Sequence, residues 1–368
     1  MEYIFEEVKL SEITEVITKG TTPTTIGYEF QEEGVNFLKI ECFDENGSFI
    51  ESKATYISEE CHQKMQRSQL KPGDILFSIA GAIGRVAIVT EEMLPANTNQ
   101  ALEIIRISNE ELYLPYIKLI LTSPIVTRQF ERKKQGVAQL NLSLKDISEI
   151  SIPLLSKCKQ IELVEIFDKV KGVIAKRNKE LSELDNLIKS RFVEMFGTPH
   201  GNEKGFPMMT MDDVVEFTGG AQPDKKYFEY ESTEDNIRLI QIRDYKSDNY
   251  ITYIPKSMAK RFCGPDDIMI GRYGPPIFQI LKGIEGSYNV ALMKATPKMG
   301  NKEFVRYFLK QECLFNYLDG LSQRTAGQSG IEMPALKAYP FPYPPIKLQD
   351  EFEQFVHQVD KSKFGKGV

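Results

Sequence analysis

One long pattern occurs twice in this chain, about 190 residues apart, and this repeat limits the folds that the chain can adopt. The first copy has a Lys-Pro-Gly-Asp-Ile-Leu motif at 71–76 and a Gln-Ile-Glu sequence that begins at Gln160. The second has Gly-Pro-Asp-Asp-Ile-Met at 264–269 and Gln-Asp-Glu from Gln349. Solenoid units repeat every 20–50 residues or so, which is much shorter. The repeat therefore predicts two similar domains in tandem.

Length and charge set broad limits only. The 368 residues suffice for two domains of ordinary size, each with its own core. The net charge of −6 does not by itself suggest a nucleic-acid-binding protein. Because a few basic loops can contact phosphates on an acidic protein, the composition neither supports nor excludes DNA binding.

The chain lacks the usual marks of secretion or membrane insertion. Residues 1–7 do not resemble a signal peptide, and no run approaches the roughly 20 apolar residues of a membrane span. The five cysteines are scattered, without a Cys-x-x-Cys pair, which argues against disulfides and a zinc site. We expect a cytoplasmic protein that binds no metal.

The first copy reads as strand-rich from about residue 8 to Pro153, with a helical stretch at 113–134 that Pro124 should split. The second copy should run from 208 to 345. Its predicted strands and helices lie at 238–242, 267–270, 290–294, 303–318 and 349–364.

Residues 157–196 differ in kind from their surroundings. They contain no proline, and apolar residues recur at steps of three and four, as in a heptad seam. The seam consists of Phe167, Val170, Ile174, Leu181, Leu184 and Ile188. A 40-residue helix would be about 60 Å long and would need a partner helix to bury this seam. The final helix repeats its opening with Phe352, Val356 and Val359, but it is much shorter.

Catalytic motifs are scarce. No phosphate-binding glycine loop is present, and Gly-Pro-Pro-Ile at 274–277 is not the Asn/Asp-Pro-Pro-aromatic motif of an adenine methyltransferase. Asp224, Asp244 and Lys246 could form a metal-dependent nuclease site, although this pattern often occurs by chance. Magnesium-dependent cleavage by the purified chain, lost in Asp224→Ala and Lys246→Ala, would support that alternative.

The polar loops are better suited to binding DNA. Arg and Lys, Asn and Gln can read base edges, while Ser, Thr and Lys hold phosphates. The alternative is that these are ordinary polar turns. The candidates in the first copy are Lys19, Thr21, Thr22, Arg85, Asn97, Asn99, Gln100, Lys133, Lys134, Gln135 and Gln139. Those in the second are Gln222, Lys225, Lys226, Arg243, Arg272, Tyr273, Tyr288, Asn289, Arg324, Thr325 and Gln328.

The order of these motifs resembles the specificity subunit of type I restriction–modification systems. The resemblance rests on the Leu-x-x-Ile-x-x-Ile-x-Ile-Pro-Leu sequence at 144–154 and on the glycine–glutamine loops at 136–139 and 327–328. Residues 184–197 are similar to the end of the family's first conserved helix. The resemblance covers essentially the whole chain.

This resemblance implies an α+β chain with two β-rich target recognition domains, each followed by a long helix of the coiled-coil type. The implied segments are recognition domain 1 at 1–156, spacer helix 1 at 157–197, a linker at 198–207, recognition domain 2 at 208–346 and helix 2 at 347–368. Each domain would read one half of a bipartite, interrupted DNA site. The two helices would pack antiparallel and fix the gap between the half-sites.

The resemblance also implies a non-catalytic subunit. Methyltransferase subunits would dock on the helices, and a restriction subunit would join them for cleavage. S-adenosylmethionine, ATP and Mg²⁺ would belong to those partners, so that this chain would bind no cofactor itself.

The second helix departs from the family because it is short and can cover only part of the first. Either another subunit, or a second copy of the chain through self-association, covers the rest, or the helix is truncated, which the abrupt break of the heptad at 365–368 favours. A third interpretation is a helix-mediated interaction scaffold without DNA binding, which identical genomic adenine methylation with and without the gene would favour. The bases read cannot be predicted from this sequence.

Overall fold

The computed structural model describes residues 6–131, 141–198, 201–274, 276–322 and 330–363. The chain divides into two compact units, Met1–Ala175 and Lys176–Val368, each of mixed α and β structure. The boundary lies inside one continuous helix, α6, which spans Lys157–Phe196 and so contributes residues to both units.

The first unit consists of short strands followed by helices. Its strands are β1 (Glu6–Lys9), β2 (Thr14–Lys19), β3 (Val35–Leu38), β4 (Thr55–Ile57), β5 (Ile75–Ser78), β6 (Val86–Ile88), β7 (Ala96–Thr98), β8 (Leu102–Ile107) and β9 (Ser151–Leu154). Its shorter helices are α1 (Leu10–Ile13), α2 (Glu59–Lys64), α3 (Leu114–Leu121), α4 (Pro124–Glu131) and α5 (Leu144–Ser148).

The second unit follows the same plan. Its strands are β10 (Met208–Thr210), β11 (Val215–Gly219), β12 (Asn236–Ile240), β13 (Tyr253–Pro255), β14 (Phe262–Cys263), β15 (Ile268–Gly271), β16 (Gln279–Lys282), β17 (Gly286–Tyr288), β18 (Leu292–Pro297) and β19 (Pro340–Pro342). Its helices are α7 (Met211–Val214), α8 (Lys302–Leu309), α9 (Glu312–Ser322), α10 (Met333–Ala338) and α11 (Ile346–Lys363).

The sheets of the two units have matching strand order. The antiparallel sheet β2-β8-β5-β6 corresponds to β11-β18-β15-β16, and the pair β1-β9 corresponds to β10-β19. The sheet β4-β3-β7 corresponds to β13-β12-β17, in which the central strand pairs parallel with one neighbour and antiparallel with the other. Strand β14 corresponds in the first unit to an isolated bridge between Gln69 and Asn97. The sequence repeat is thus a structural repeat.

A buried glutamine joins the β-rich part of each unit to the helix that follows it. Gln160 accepts a hydrogen bond from the Tyr113 backbone N–H (2.8 Å) and donates to the Leu155 carbonyl (2.7 Å). Gln349 does the same with the Asn301 N–H (2.8 Å) and the Pro344 carbonyl (2.7 Å). Both side chains are almost fully buried. The repeated helix-start glutamine therefore satisfies otherwise unpaired backbone groups at the start of α3 and α8.

Each unit has its own apolar core. In the first, strands β5 and β8 pack on α3 and α4 through residues such as Phe77, Ile105 and Ile117. In the second, the C-terminal end of α6 joins the core, because Phe192 and Phe196 pack on Phe352 of α11 with ring centroids 5.4 and 5.5 Å apart. Aromatic contacts of this geometry stabilise a core beyond the area that they bury.

Helix α11 covers only the C-terminal part of α6. Phe352, Val356 and Val359 are buried, as is Ile188 on α6, and Lys363 of α11 pairs with Asp185 at 2.7 Å. Leu181 and Leu184 are half-buried. The seam is open towards its start, where Phe167 is 47% exposed, Val170 50% and Ile174 54%. A strip of apolar surface therefore remains on the part of α6 that belongs to the first unit.

Several predicted bounds were wrong, for identifiable local reasons. The helix predicted at 303–318 is two helices, α8 and α9, because the chain leaves the helical path at Lys310. The strand predicted at 290–294 begins only at Leu292, since the Asn289 carboxamide accepts the Ala291 N–H in a turn at 3.1 Å. The strand predicted at 238–242 ends at Ile240, where a 3-10 turn begins beyond Gln241.

No helix among the described residues is both long enough and apolar enough to span a bilayer. All five cysteines are free thiols.

Candidate nucleic-acid interface

The ends of several strands meet at one edge of the first unit. Backbone hydrogen bonds run from Gly20 N to Leu102 O (3.3 Å), from Thr21 N to Thr98 O (3.0 Å) and from Ile79 N to Ala101 O (2.9 Å). We call residues 19–22, 79–85 and 97–101 the first loop edge. These bonds hold three polar loops side by side, although the loops are far apart in sequence.

The second unit builds the same edge from equivalent residues. Gly220 N bonds Leu292 O (3.0 Å), Ala221 N bonds Tyr288 O (3.2 Å) and Arg272 N bonds Ala291 O (2.9 Å). Residues 219–222, 271–274 and 288–291 form the second loop edge. Each bond has its counterpart in the first unit, so that Ile79 and Arg272 occupy the same place.

Two glycines allow the loops to approach this closely. A Cβ atom on Gly20 would lie 2.1 Å from the Thr98 carbonyl oxygen, and one on Gly220 would lie 1.9 Å from that of Asn289. Neither distance is possible, so both positions require glycine for lack of space rather than for an unusual φ. Gly20 and Gly220 are therefore framework residues.

Other repeated motif residues also belong to the framework. The Asp74 carboxylate accepts the Lys71 N–H at 2.8 Å and pairs with Arg106 at 2.7 Å, which raises the pKa of that guanidinium. Asp267 accepts the Gly264 N–H at 2.9 Å and pairs with Lys294 at 3.4 Å. These aspartates tie a turn to the neighbouring strand in both units and are not available to DNA.

Most predicted binding residues of the first unit lie on its loop edge. Lys19 and Gln100 are exposed, and Thr21, Thr22, Arg85 and Asn99 are half-buried. The Thr22 hydroxyl bonds the Gln100 side chain, and Arg85 donates to the Phe43 carbonyl at 3.3 Å. The edge thus presents hydroxyls, an amide and two cations together.

Asn97 is placed differently from the other candidates. It is fully buried, and its amide donates to the Met65 carbonyl at 3.1 Å and to the Ser68 hydroxyl at 3.0 Å. Its oxygen lies 2.5 Å from His62 Nδ1. Because every polar atom of the side chain is engaged, Asn97 supports the loop edge from within.

In the second unit, Arg272 and Tyr273 lie on the loop edge. The Arg272 guanidinium lies 5.2 Å from the centroid of the Tyr273 ring and donates to the Val290 carbonyl at 3.4 Å. Tyr288 is buried, its hydroxyl donates to the Thr218 carbonyl at 3.2 Å, and burial raises its pKa to about 12. Asn289 is also buried and closes the turn described above. Tyr288 and Asn289 therefore support the edge, whereas Arg272 and Tyr273 face outward.

The remaining candidates of the second unit are exposed cations and an amide. Gln222, Lys225 and Lys226 follow β11, and Lys226 pairs with Asp224 at 3.5 Å. Arg243 donates to the Thr252 hydroxyl at 3.0 Å and lies over the Tyr250 ring at 5.9 Å. Its guanidinium is therefore held in place while still accessible to a ligand.

Seven predicted binding residues lie outside the described part of the chain. They are Lys133, Lys134, Gln135, Gln139, Arg324, Thr325 and Gln328.

The two edges share a framework but differ in surface chemistry. The Gln241 N–H donates to the Asp244 carboxylate, and in the first unit the Lys39 N–H donates to the Cys42 thiol. The two turns therefore match residue by residue, so that Arg243 corresponds to Glu41. Arg272 corresponds to Ile79, as shown by their matching backbone bonds. The second unit thus carries two arginines, Arg272 on its loop edge and Arg243 outside it, where the first unit has Ile79 and Glu41.

Cations that the sequence patterns did not single out lie next to both edges. Arg67 donates from Nε to the Thr18 hydroxyl at 2.7 Å, directly before the first loop edge. Arg261 accepts the Tyr288 N–H at its carbonyl (3.0 Å), which places Lys260 and Arg261 beside the second. In both copies these cations lie a few residues before the 71–76 and 264–269 motifs. This repeated position was the signal in the sequence from which they could have been found.

A buried carboxyl group lies beneath the first edge. Glu103 on β8 is opposite Lys19 on β2, is fully buried, and has no hydrogen-bond partner for either oxygen among the described residues. Burial, reinforced by Asp146, raises its pKa to about 8. The second unit has Met293 at the equivalent position, so this acid is specific to the first.

The alternative nuclease residues serve local structure. Asp224 caps a short turn by accepting the Lys226 N–H at 3.2 Å. Asp244 is buried, accepts the Gln241 N–H at 3.1 Å, and has a pKa that burial raises. Across the described residues, no three His, Cys, Asp or Glu side chains are grouped as metal ligands.

Comparisons with known proteins agree with the resemblance. Residues 4–186 match the family described as type I restriction modification DNA specificity domain. Over 171 residues, 45% of this chain, the sequence is 29% identical to the type I restriction enzyme EcoBI specificity subunit of Escherichia coli. That match spans 35% of the relative, so about a third of its length is represented here.

One solved structure shares the fold with a TM-score above 0.5. It comes from a study described as "Structural basis underlying complex assembly and conformational transition of the type I R-M system". The alignment has a TM-score of 0.58 at 16% identity and covers 98% of this chain and 91% of that one. The type I restriction–modification system S subunit from M. genitalium aligns with a TM-score of 0.49 at 14% identity, over 99% and 92%. This chain belongs to the family described as type I restriction modification DNA specificity domain, whose model its residues 4–186 match.

Proposed function

We propose that this chain recognises DNA for a type I restriction–modification complex, and that each loop edge reads one half of a bipartite, interrupted site. The observation that carries the proposal is the loop edge itself, which is built twice on the same glycine and asparagine framework with different exposed side chains. A shared framework with divergent surfaces is what two readers of two different sequences require. As a specificity subunit, the chain is non-catalytic.

We assign the spacing of the half-sites to the helices. Helix α6 has 40 residues, about 60 Å at 1.5 Å per residue, and connects the two units in the sequence. Helix α11 packs on its C-terminal part in the antiparallel direction, as the contacts of Phe352 and Lys363 indicate. In this proposal the pair acts as a coiled-coil-type spacer between the two readers.

We further propose that a methyltransferase subunit covers the exposed apolar strip on α6. The strip contains Phe167, Val170 and Ile174, each about half exposed, with Val173 at 69%. Apolar patches of this kind mark interaction sites. S-adenosylmethionine, ATP and Mg²⁺ would be bound by the partner subunits in the cytoplasm, with a restriction subunit joining for cleavage.

Variants of the strip test this docking. Val170→Asp with Ile174→Asp should abolish co-purification with the methyltransferase subunit while both units keep their folded circular dichroism. Leu187→Asp, on the same helix at a residue that is 48% exposed, is the matched control. Sedimentation of the chain alone distinguishes self-association: a dimer that the double variant dissociates would assign the strip to a second copy instead.

Mapping of genomic methylation tests the function as a whole. Cells with the partner subunits should carry a bipartite methylated motif that disappears when this gene is deleted. Exchanging residues 8–153 for those of another specificity subunit should change one half of the motif only. A change in both halves, or a motif indifferent to the gene, would contradict the proposal.

A further inference from the structure

The two units can be compared with each other as two readers of different DNA sequences. Phosphate groups are the same in every sequence, whereas base edges differ. If both units bind DNA, a side chain that contacts phosphate should keep its chemistry in both, and one that reads bases should change. The structural repeat identifies such positions within a single chain.

One cation next to the loop edges is common to both units. Gln69 bridges to Asn97 as Phe262 pairs with Ser287, which fixes the correspondence of the two segments. Two residues earlier the chain has Arg67 in the first unit and Lys260 in the second, both exposed. A positive charge therefore precedes the same strand position in each unit.

The Arg67 side chain is directed towards the first loop edge, and Lys260 lies beside the second one along the backbone. Arg67 is anchored by the 2.7 Å bond from Nε to Thr18, the residue before Lys19. Lys260 precedes Arg261, whose carbonyl is bonded to Tyr288 of the second edge at 3.0 Å. Neither cation forms an ion pair with a carboxylate among the described residues. Both charges are therefore open to an external anion.

Other cations shared by the units are occupied in at least one of them. Lys118 lies five residues after Tyr113, and Arg306 lies five residues after Asn301. The backbone N–H groups of these two residues bond the equivalent glutamines Gln160 and Gln349, so Lys118 and Arg306 correspond. Arg306 donates to the Asp266 carbonyl at 2.9 Å and pairs with Glu303 at 3.1 Å. Lys337 pairs with Asp212 at 3.1 Å, and the strand pairing places Ser148, which carries no charge, at the equivalent position of the first unit. These positions serve the fold.

From these observations we infer that Arg67 and Lys260 hold DNA phosphates as an equivalent pair, whereas Arg243 and Arg272 read bases in the second half-site. The inference rests on the proposed DNA binding. It divides the basic residues into two classes by the internal repeat: Arg67 and Lys260 keep their charge in both units, but Arg243 and Arg272 are replaced by Glu41 and Ile79.

Salt dependence separates the two classes. Each phosphate contact contributes about 0.9 to the slope of log affinity against log salt concentration. Arg67→Ala with Lys260→Ala in the full chain should therefore reduce this slope by about 1.8, measured by fluorescence anisotropy with duplexes of random sequence. The loss of affinity should be the same factor for a random duplex and for one carrying the methylated motif. Lys159→Ala with Lys361→Ala, two exposed helix lysines, is the matched control.

Conservative variants guard against a folding defect. Arg67→Lys should keep the slope, while Arg67→Gln retains a donor for Thr18 but should lower the slope like alanine. Arg272→Ala should instead relax base preference in one half of the motif. If the Arg67 and Lys260 double alanine variant keeps the wild-type slope, or changes base preference, the inference is wrong. The proposed DNA binding would not be contradicted by either result. If the wild-type chain with its partners binds no duplex, the proposed function itself fails.

Discussion

Replacing Glu103 should remove a large part of the pH dependence of the first unit's stability. Its carboxyl is buried without a hydrogen-bond partner among the described residues, and its pKa is raised from an ordinary 4.5 to about 8 by burial and by Asp146. The folded unit therefore keeps this proton over a pH range in which the unfolded chain releases it. Stability from this group is complete below pH 4.5 and is lost as the pH rises through 8.

The size of the effect follows from the width of that window. One pKa unit corresponds to about 1.4 kcal/mol, so a window from 4.5 to about 8 corresponds to roughly 5 kcal/mol in total. At pH 7, ionisation of this group in the unfolded chain lowers the free energy of unfolding by about 3 kcal/mol relative to its value at acid pH. This is a considerable fraction of the stability of an ordinary domain.

Urea unfolding between pH 5 and pH 9 measures this effect. Hydrogen exchange of a peptide covering β8 would assign the transition to the first unit, because the chain has no tryptophan. Glu103→Gln should flatten the pH profile, and Glu103→Met should do so while matching Met293 of the second unit. Met293→Gln is the control, since it changes the equivalent site without an ionisable group. If Glu103→Gln keeps the wild-type profile, the reasoning from burial is refuted.

Four further substitutions test the framework by thermal or urea unfolding. Gly20→Ala should destabilise the first unit by about 1–3 kcal/mol, because its Cβ atom would lie 2.1 Å from the Thr98 carbonyl oxygen. Gly172→Ala should instead stabilise α6 by up to about 1 kcal/mol, because its Cβ atom would meet nothing within 4 Å. Equal effects of the two changes would refute the packing argument. Phe278→Gly relieves a left-handed φ of 56° but removes a buried aromatic ring. The free energy of unfolding should fall by about 2 kcal/mol, because losing the ring costs more than relieving the strain gains. A higher free energy of unfolding would contradict that ranking. Gln160→Leu should cost roughly 2–5 kcal/mol by leaving Tyr113 N and Leu155 O unpaired, and a neutral result would mean that water replaces the amide.

The sequence predicted the elements whose patterns are long or repeated. The heptad spacing predicts a helix where α6 runs from Lys157 to Phe196, and Pro124 marks the start of α4. The helix break at Lys310 was not predictable, because no proline or glycine marks it; Phe308 before it and Leu314 after it are both buried in the same core. Local patterns carry periodicity, but a break that is decided by tertiary contacts leaves no local sign.

Site residues were harder to predict than elements, since residue type does not report burial. Asn97, Tyr288 and Asn289 have the chemistry of base-reading residues, yet they are buried as supports of the loop edges. Arg67 and Lys260 were overlooked because a lone cation in a polar stretch is not distinctive. Only the pairing of Gln69 with Asn97 and of Phe262 with Ser287 shows that they are equivalent.

The buried glutamine at each helix start has a consequence for exchange of whole recognition units. All four of its hydrogen bonds, two in each unit, go to backbone atoms of Tyr113, Leu155, Asn301 and Pro344. Backbone atoms are present whatever the side chains are, so these hydrogen bonds need only room for the amide, which Gly300 provides in the second unit because a Cβ atom there would lie 2.8 Å from Gln349 Oε1. A reader with an unrelated surface could therefore be grafted onto the same helix if its backbone follows the same path at this junction.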